Sequence, residues 1–259
     1  MFISRHGNGS RRFLGIHGWS GDHRTFAPLL HDLPDDATFY AVDLPGCGQS
    51  EEPARWSLDE ISSRIAEAAR SIPAPFTLVG NCSGALLGML AAYQLKGRIE
   101  RMLLIDAFAK FPWYFRIFLI PGFGRVAYYS TFANPIGRWI ANASLRSRRA
   151  EQTTLTGGFS NARHASTYRY LQIFEGYPPP ASFAGLAMPI DLVYGSKTFA
   201  AIADSVPCWQ AVWPQARAWR LEGAGHLPIL EATARLREIL FKEGSFSTKC
   251  HIPSQTIAG

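Results

Sequence analysis

The residues of this chain best suited to chemistry lie in Gly80-Asn81-Cys82-Ser83-Gly84. Glycine two places before and two places after a cysteine is the spacing of a nucleophile elbow, with sulfur where a serine hydroxyl is more usual. The spacing has a physical reason. A strand that turns at once into a helix exposes the residue at its apex and leaves no room for side chains at Gly80 and Gly84. The apex side chain then points at the helix N-terminus, where free N–H groups stabilise an anion. Residues 76–79 suit a buried strand, and an Ala- and Leu-rich helical run follows to Lys96, with Gly97 placed as its C-cap. Read as packing alone, Cys82 is a buried thiol in a tight turn, since free cysteine is among the most buried residue types. His226, in Gly223-Ala224-Gly225-His226, follows a strand-like run and precedes the last helical one. An imidazole there can take a proton from sulfur and return it to a leaving group. Its bland reading is a surface histidine in a glycine loop.

Such residues need a framework to hold them. Residues 2–5 and 12–16 read as short strands around the turn 6–10, a hairpin at a sheet edge. The turn 17–21 opens a helical stretch to about Leu33, and 38–42 is the next strand, ending at Asp43. Ser57 starts a helix through a capping box to Glu60, with Ile61, Ile65, Ala68, Ala69 and Ile72 on its apolar face. After the elbow, 101–105 is a buried strand ending at Asp106. The alternation implies right-handed crossovers and a mostly parallel sheet, with ligands outside the carboxyl ends of its strands. It stops at Phe111: residues 111–177 are aromatic, arginine-rich and helical in pieces, broken at Pro121-Gly122 and Asn134-Pro135, and three prolines at 178–180 close them. It resumes with a strand at 190–195, a helix over 204–212, a strand at 217–221 and a helix over 229–242. The expected organisation is an α/β core of residues 1–110 and 188–244, a helical cap at 111–187 inserted after the strand ending near Asp106, and a loose tail at 245–259.

Of the 259 residues, 47% are hydrophobic and 18% charged, enough for a sizeable core. Cys47, Cys82, Cys208 and Cys250 have neither paired nor metal-type spacing, so no disulfide framework, metal or organic cofactor is implied. No run reaches the roughly 18 apolar residues of a membrane span, and the start has no apolar leader pattern, so a soluble cytoplasmic protein is expected. The net charge of +6 raises the question of nucleic acid or a membrane surface, but its distribution argues against both. Residues 110–187 hold nine Lys/Arg and two acids, which accounts for the whole excess, and no nucleic-acid motif accompanies them.

The order of His17-Gly18-Trp19, Asp43-Leu44-Pro45-Gly46-x-Gly48-x-Ser50, the elbow at Cys82 and Gly223-Ala224-Gly225-His226 resembles the α/β-hydrolase superfamily over roughly residues 12–242. Within it, the His-Gly-Trp turn and the large basic cap are similar to carboxylesterases that demethylate pimeloyl-acyl-carrier-protein methyl ester. The resemblance implies the α/β-hydrolase fold, with Cys82 as nucleophile, His226 as general base, and the backbone N–H groups of Trp19 and Ser83 as oxyanion hole. Ser83 itself sits one place past the apex, where its side chain would be turned away. His17 reads as a turn residue bonding backbone near the oxyanion loop, and Asp43 as a structural turn carboxylate.

Two departures bear on mechanism. Cysteine nucleophiles occur in relatives such as dienelactone hydrolases and polyhydroxyalkanoate synthases, and suit thioester exchange as well as ester hydrolysis. The acid that superfamily members usually carry after the strand ending at Gly195 is replaced by Thr198. Some haloalkane dehalogenases place it at the end of the preceding strand, which here is Asp106; Asp204 is the fallback, with helix capping as its plainer role. Residues such as Phe111, Trp113, Tyr114, Phe115, Phe118, Phe123, Tyr128, Tyr129 and Trp139 would give the cap its apolar walls or pack it onto the core. Arg146, Arg148 and Arg149 admit two readings, a solvated basic face or a docking site for an acidic carrier protein or anionic substrate. Three functions follow: a hydrolase of small-molecule or carrier-bound carboxylic esters or thioesters with a Cys-His-Asp triad; an acyltransferase or cyclase using the same acyl-enzyme; or a non-catalytic ligand-binding fold.

Overall fold

Strand β4 (Phe76–Asn81), which leads to Cys82, is the fourth of seven strands in one sheet. Across the sheet the order is β1 (Ile3–His6), β3 (Ala37–Val42), β2 (Arg11–Ile16), β4, β5 (Ile99–Ile105), β6 (Ile190–Gly195) and β7 (Arg217–Leu221). β1 runs antiparallel to β3, and every other pairing is parallel. The structure, a computed structural model, describes residues 1–242; the loose tail expected at 245–259, and Cys250 with it, lies outside the described residues.

The two-residue period of the strands divides the core in two. In β5, Met102 and Leu104 are buried on one side and Leu103 and Ile105 on the other. Five α-helices of eight residues or more are described: α1 (Leu58–Arg70), α2 (Ser83–Ala92), α3 (Pro135–Ser144), α4 (His164–Phe174) and α5 (Ser205–Val212). α1, α2 and α5 cover the first side, and shorter helices near Phe26 and Leu236 cover the second. α1 begins as expected, with Ser57 Oγ accepting the Glu60 N–H at 3.2 Å. Its Ile61 and Ile65 are fully buried, each contributing about 1.5–3 kcal/mol. α2 is buried nearly all round and ends at Ala92, short of Lys96; Gly97 then takes φ +75° in the following turn.

Three expectations are corrected. β1 and β2 do not form a hairpin, because β3 lies between them. The intervening turn passes over the start of β3, where Gly9 and Arg11 donate N–H groups to the Ala37 and Asp36 carbonyls. A Cβ on Gly9 would lie 1.9 Å from the Asp36 carbonyl carbon, so the Gly-Asn-Gly signature serves a close crossing, not a hairpin turn. Asp204 makes no side-chain cap at α5, since it already ends the short helix Ala200–Ala203. The last helical run breaks at Ala232 into Pro228–Glu231, Thr233–Arg237 and a wider π turn, Glu238–Lys242.

Between β5 and β6 lie the 3-10 turns of Trp113–Leu119, the helix Gly124–Tyr128 with the π turn Tyr129–Ala133, and α3 and α4. The breaks come where expected: Gly122 has φ +77°, and the Asn134 side chain accepts the Ile136 N–H at 2.9 Å. Buried Tyr128, Phe132, Phe159 and Leu171 form a small core of this segment's own. The segment rests on loops that leave the carboxyl ends of the strands. Tyr170 O–H donates to the Pro45 carbonyl after β3, and Trp19 Nε1–H after β2 donates to the Thr167 carbonyl, each at 2.8 Å.

The opposite end of the sheet holds a buried ion cluster. The Asp191 carboxylate accepts from Arg101 at 2.6 Å, Arg217 at 2.8 Å and Trp219 at 2.7 Å. Arg101 also donates to the Ile239 and Leu240 carbonyls and so ties the final helical piece to the strands. No helix of the described residues is long and apolar enough to cross a membrane.

Candidate active site

Cys82 sits between β4 and α2 at φ +51°, ψ −119°, in a region that costs a non-glycine residue about 1–3 kcal/mol. Its surroundings leave little alternative. Its N–H donates to the Ile105 carbonyl at 2.7 Å, and its own carbonyl accepts the Ala85 N–H at 3.0 Å. A Cβ on Gly80 would stand 2.4 Å from Ala85 Cα, and one on Gly84 2.2 Å from the His17 carbonyl oxygen. The flanking glycines are therefore required by backbone contact on both sides of the apex.

His226 reaches Cys82 from the loop after β7, with Nε2 3.8 Å from Sγ. Its Nδ1–H donates to Asp106 Oδ2 at 2.7 Å, which fixes the tautomer and turns Nε2 towards the sulfur. Asp106 is 1% exposed and at φ +48°, at the end of β5. Its other partners are the Thr198 hydroxyl, 2.7 Å from Oδ2, and the Gly195 N–H, 3.3 Å from Oδ1. Burial pulls the His226 imidazole down, but its hydrogen bonds to Asp106 and Cys82 and their charge interactions with the ring outweigh it, and its pKa is raised to about 10. The structure thus brings Asp106, not Asp204, to His226.

Thr198 has a place that sequence reasoning missed. Treated there as a lost acid, it is buried, donates to the carboxylate and lies 3.4 Å from His226 Nδ1. Glu231 was missed as well. It accepts from the Gly225 N–H, the Ala150 N–H and the Thr153 hydroxyl, so one carboxylate joins the histidine loop to the segment between β5 and β6. The helix breaks just after it, at Ala232, and nothing local in the sequence marks either the break or these partners.

The loop after β2 lies against the elbow, for a Cβ on Gly18 would meet the Asn81 carbonyl oxygen at 2.9 Å and Cys82 Cβ at 3.1 Å. This contact sets Gly18, the residue before Trp19, against the turn that leads into α2. His17, fully buried, donates Nδ1–H to the Gly18 carbonyl at 2.8 Å and accepts the Leu44 N–H at Nε2. Burial lowers its pKa, consistent with a neutral ring bracing the loop. Ser83 Oγ is buried with no hydrogen-bond partner among the described residues.

The aromatic residues between 111 and 139 divide. Phe115, Phe132 and Phe159 pack around the Trp19 indole with ring centroids 4.9–5.3 Å away. Phe199 stands edge-on to His226 at 4.9 Å. Trp113, Phe123 and Trp139 instead face solvent, against both expected roles, apolar walls of the cap and packing onto the core. A pattern of aromatic residues in short turns carries too little periodicity to tell inside from outside. The three arginines divide too. Arg146 is exposed, whereas Arg148 donates to the Thr198 carbonyl at 3.0 Å and Arg149 to the Ala150 and Glu151 carbonyls.

Asp22, His23 and Asp43 are a group of metal-ligand size, with ligand atoms within 4.8 Å of one another. Their valences are already used: Arg24 pairs with Asp22, and Asp43 accepts from the His23 N–H and ring and from the Gln49 N–H. They brace the turn, as the sequence reading has it for Asp43.

Against known proteins, the chain is 26% identical to a pimeloyl-[acyl-carrier protein] methyl ester esterase of Xylella fastidiosa, over 93% of this chain and 98% of that one. A protein of the same name from Methylococcus capsulatus is 31% identical over 111 residues, so the match spans 43% of this chain and only 42% of that relative's length. Among solved structures, a thermophilic esterase from Thermogutta terrifontis superposes with a TM-score of 0.74 at 18% identity, covering 92% of this chain and 90% of that one. An esterase from Exiguobacterium antarcticum gives 0.75 at 15% identity, covering 92% and 93%. At such identities the structural likeness is one of fold. The alpha/beta hydrolase fold family matches residues 12–233, a stretch that takes in the elbow, Asp106 and His226, and the chain belongs to that family.

Proposed function

We propose that the protein hydrolyses carboxylic esters or thioesters through a cysteine acyl-enzyme, with residues 111–187 as a cap over the site. One observation carries the reading: sulfur, imidazole and carboxylate in line, at 3.8 and 2.7 Å, with the sulfur on a strained apex. Cys82 Sγ attacks the acyl carbonyl, and the thiol proton resides on His226 Nε2. The carbonyl oxygen becomes an oxyanion facing the N–H groups of Trp19 and Ser83. Collapse expels the alkoxide or thiolate, which takes the proton from Nε2 and leaves an acyl thioester on Cys82. Water, giving its proton to His226, attacks that thioester; the carboxylic acid departs and the thiol is restored. Asp106 holds the imidazole in the tautomer that both half-reactions need.

The names of the relatives support an ester whose acyl group is carried by an acyl carrier protein. The exposed Arg146 and the excess of basic residues in the cap are compatible with an acidic carrier. Acyl transfer to an added acceptor uses the same intermediate and differs only in what attacks it. Recovery of a new ester or amide, instead of free acid, when an alcohol or amine is supplied would establish that alternative.

The test is intact mass after brief exposure to p-nitrophenyl esters and acyl thioesters of graded chain length. An adduct is expected on wild type, none on Cys82→Ala, and a persistent one on His226→Ala. Asp106→Asn should lower turnover by about a hundredfold or more. Absence of any Cys82 adduct would remove the reading and leave a ligand-binding fold; wild-type turnover in Asp106→Asn would remove the acid.

A further inference from the structure

Nine large hydrophobic side chains stand exposed among the described residues, and eight of them fall between positions 113 and 140. Trp113 and Trp139 are 81% and 71% exposed. On α3, Ile136, Trp139 and Ile140 follow i, i+3, i+4 spacing and so share one face, and that face meets solvent. The same short elements turn Phe115, Phe118, Tyr128 and Phe132 inward to the small aromatic core, so the exposed set forms their outer side.

The pieces are in backbone contact. A Cβ on Gly124 would lie 2.3 Å from the Phe118 carbonyl oxygen, and one on Gly137 1.8 Å from that of Ser130. Ile117, Val126 and Ile136 therefore stand exposed on elements that touch one another, and monomeric proteins rarely leave large apolar patches uncovered. Its charge is as uneven. Residues 107–150 contain seven Lys/Arg and no Asp or Glu, and Lys110, Arg116, Arg125 and Arg146 are exposed, Arg116 at 4.0 Å from the Glu175 carboxylate.

We infer that this outer face seats the protein on an anionic lipid surface. Indoles and aliphatic side chains enter the boundary between headgroups and acyl chains, while the basic side chains meet anionic headgroups. The charge distribution along the sequence argues against a membrane surface; the exposure of the apolar side chains beside that charge reverses the conclusion. A second copy of the chain would bring the exposed Lys110, Arg125 and Arg146 against the same three side chains. An acidic carrier protein would answer the charge but does not call for two exposed indoles and an aliphatic helix face. The inference stands apart from the chemistry at Cys82.

The test is co-sedimentation of the full chain with vesicles of phosphatidylcholine, alone or mixed with phosphatidylglycerol, with tryptophan emission followed in parallel. Binding is expected to the mixed vesicles only, with a blue shift, and it should weaken as salt rises. Trp113→Ser with Trp139→Ser should weaken partitioning at least tenfold, and Arg116→Gln or Arg125→Gln roughly fivefold each. These side chains are exposed, so the variants should keep the wild-type circular dichroism. Failure of the wild type to sediment with anionic vesicles would overturn the inference. So would undiminished binding by the double serine variant, or a finding that the same substitutions instead abolish a dimer or the binding of an acidic carrier protein.

Discussion

Thr198 fills the position that resemblance reserves for the acid, and its hydroxyl hands a hydrogen bond to the carboxylate that stands in for it. A hydrogen bond to a charged group contributes about 1.5–3 kcal/mol, so Thr198→Val should cost at least about tenfold in kcat/KM. Thr198→Ser should restore most of that, and steady-state assays of the two variants decide the point. The imidazole offers a second check at this scale. His226 binds its proton more tightly in the folded protein, with a pKa raised to about 10, than in the unfolded chain, where the ordinary value is 6.5. Its contribution to stability is therefore complete below about pH 6.5, declines above that and is gone once pH has passed about 10. Melting temperatures of wild type and His226→Asn across this range should converge at the alkaline end. Equal spacing at every pH would mean that the proton is held no better in the folded state.

The elbow is an element defined by what cannot fit. Gly84→Ala would drive a methyl group into the His17 and Ile16 carbonyls, both of them backbone. Urea denaturation should find it at least about 2 kcal/mol less stable, and labelling of Cys82 should slow with it. This element was legible in sequence because strand, glycine spacing and helix are all local signals. Asp106 is legible because no acid follows Gly195 as far as Thr198, whereas the neighbouring strand end carries one. The hairpin was misread because Gly-Asn-Gly has the same local signature whether the chain turns back or crosses a neighbouring strand. Which aromatic residues face outward is decided by packing against Trp19 and α4, distant contacts that no local pattern carries. Glu231 was invisible for the same reason, since its partners lie at Ala150, Thr153 and Gly225.

At the scale of the molecule, the candidate site and a buried ion cluster occupy opposite ends of the sheet. Asp191, buried and held by Arg101, Arg217 and Trp219, lies away from the elbow at the other ends of β5, β6 and β7. Asp191→Ala leaves the buried Arg101 without its counter-charge and should cost about 3–5 kcal/mol, read as a lower urea midpoint. The rate of Cys82 labelling in the fraction that stays folded should hardly change. At the chemical end, the segment between β5 and β6 does not simply lie on top of the core. The Arg148 carbonyl accepts the His226 N–H at 2.8 Å, and a Cβ on Gly225 would fall 2.1 Å from that same carbonyl oxygen. The histidine is thus docked on a piece of chain that, by its position in sequence, belongs to the insertion. Such an insertion is not a detachable module. A chimera that takes residues 111–187 from another hydrolase would inherit a different seat for the histidine, and only a graft keeping the native stretch from Leu145 to Ala150 would leave the imidazole in register with the sulfur.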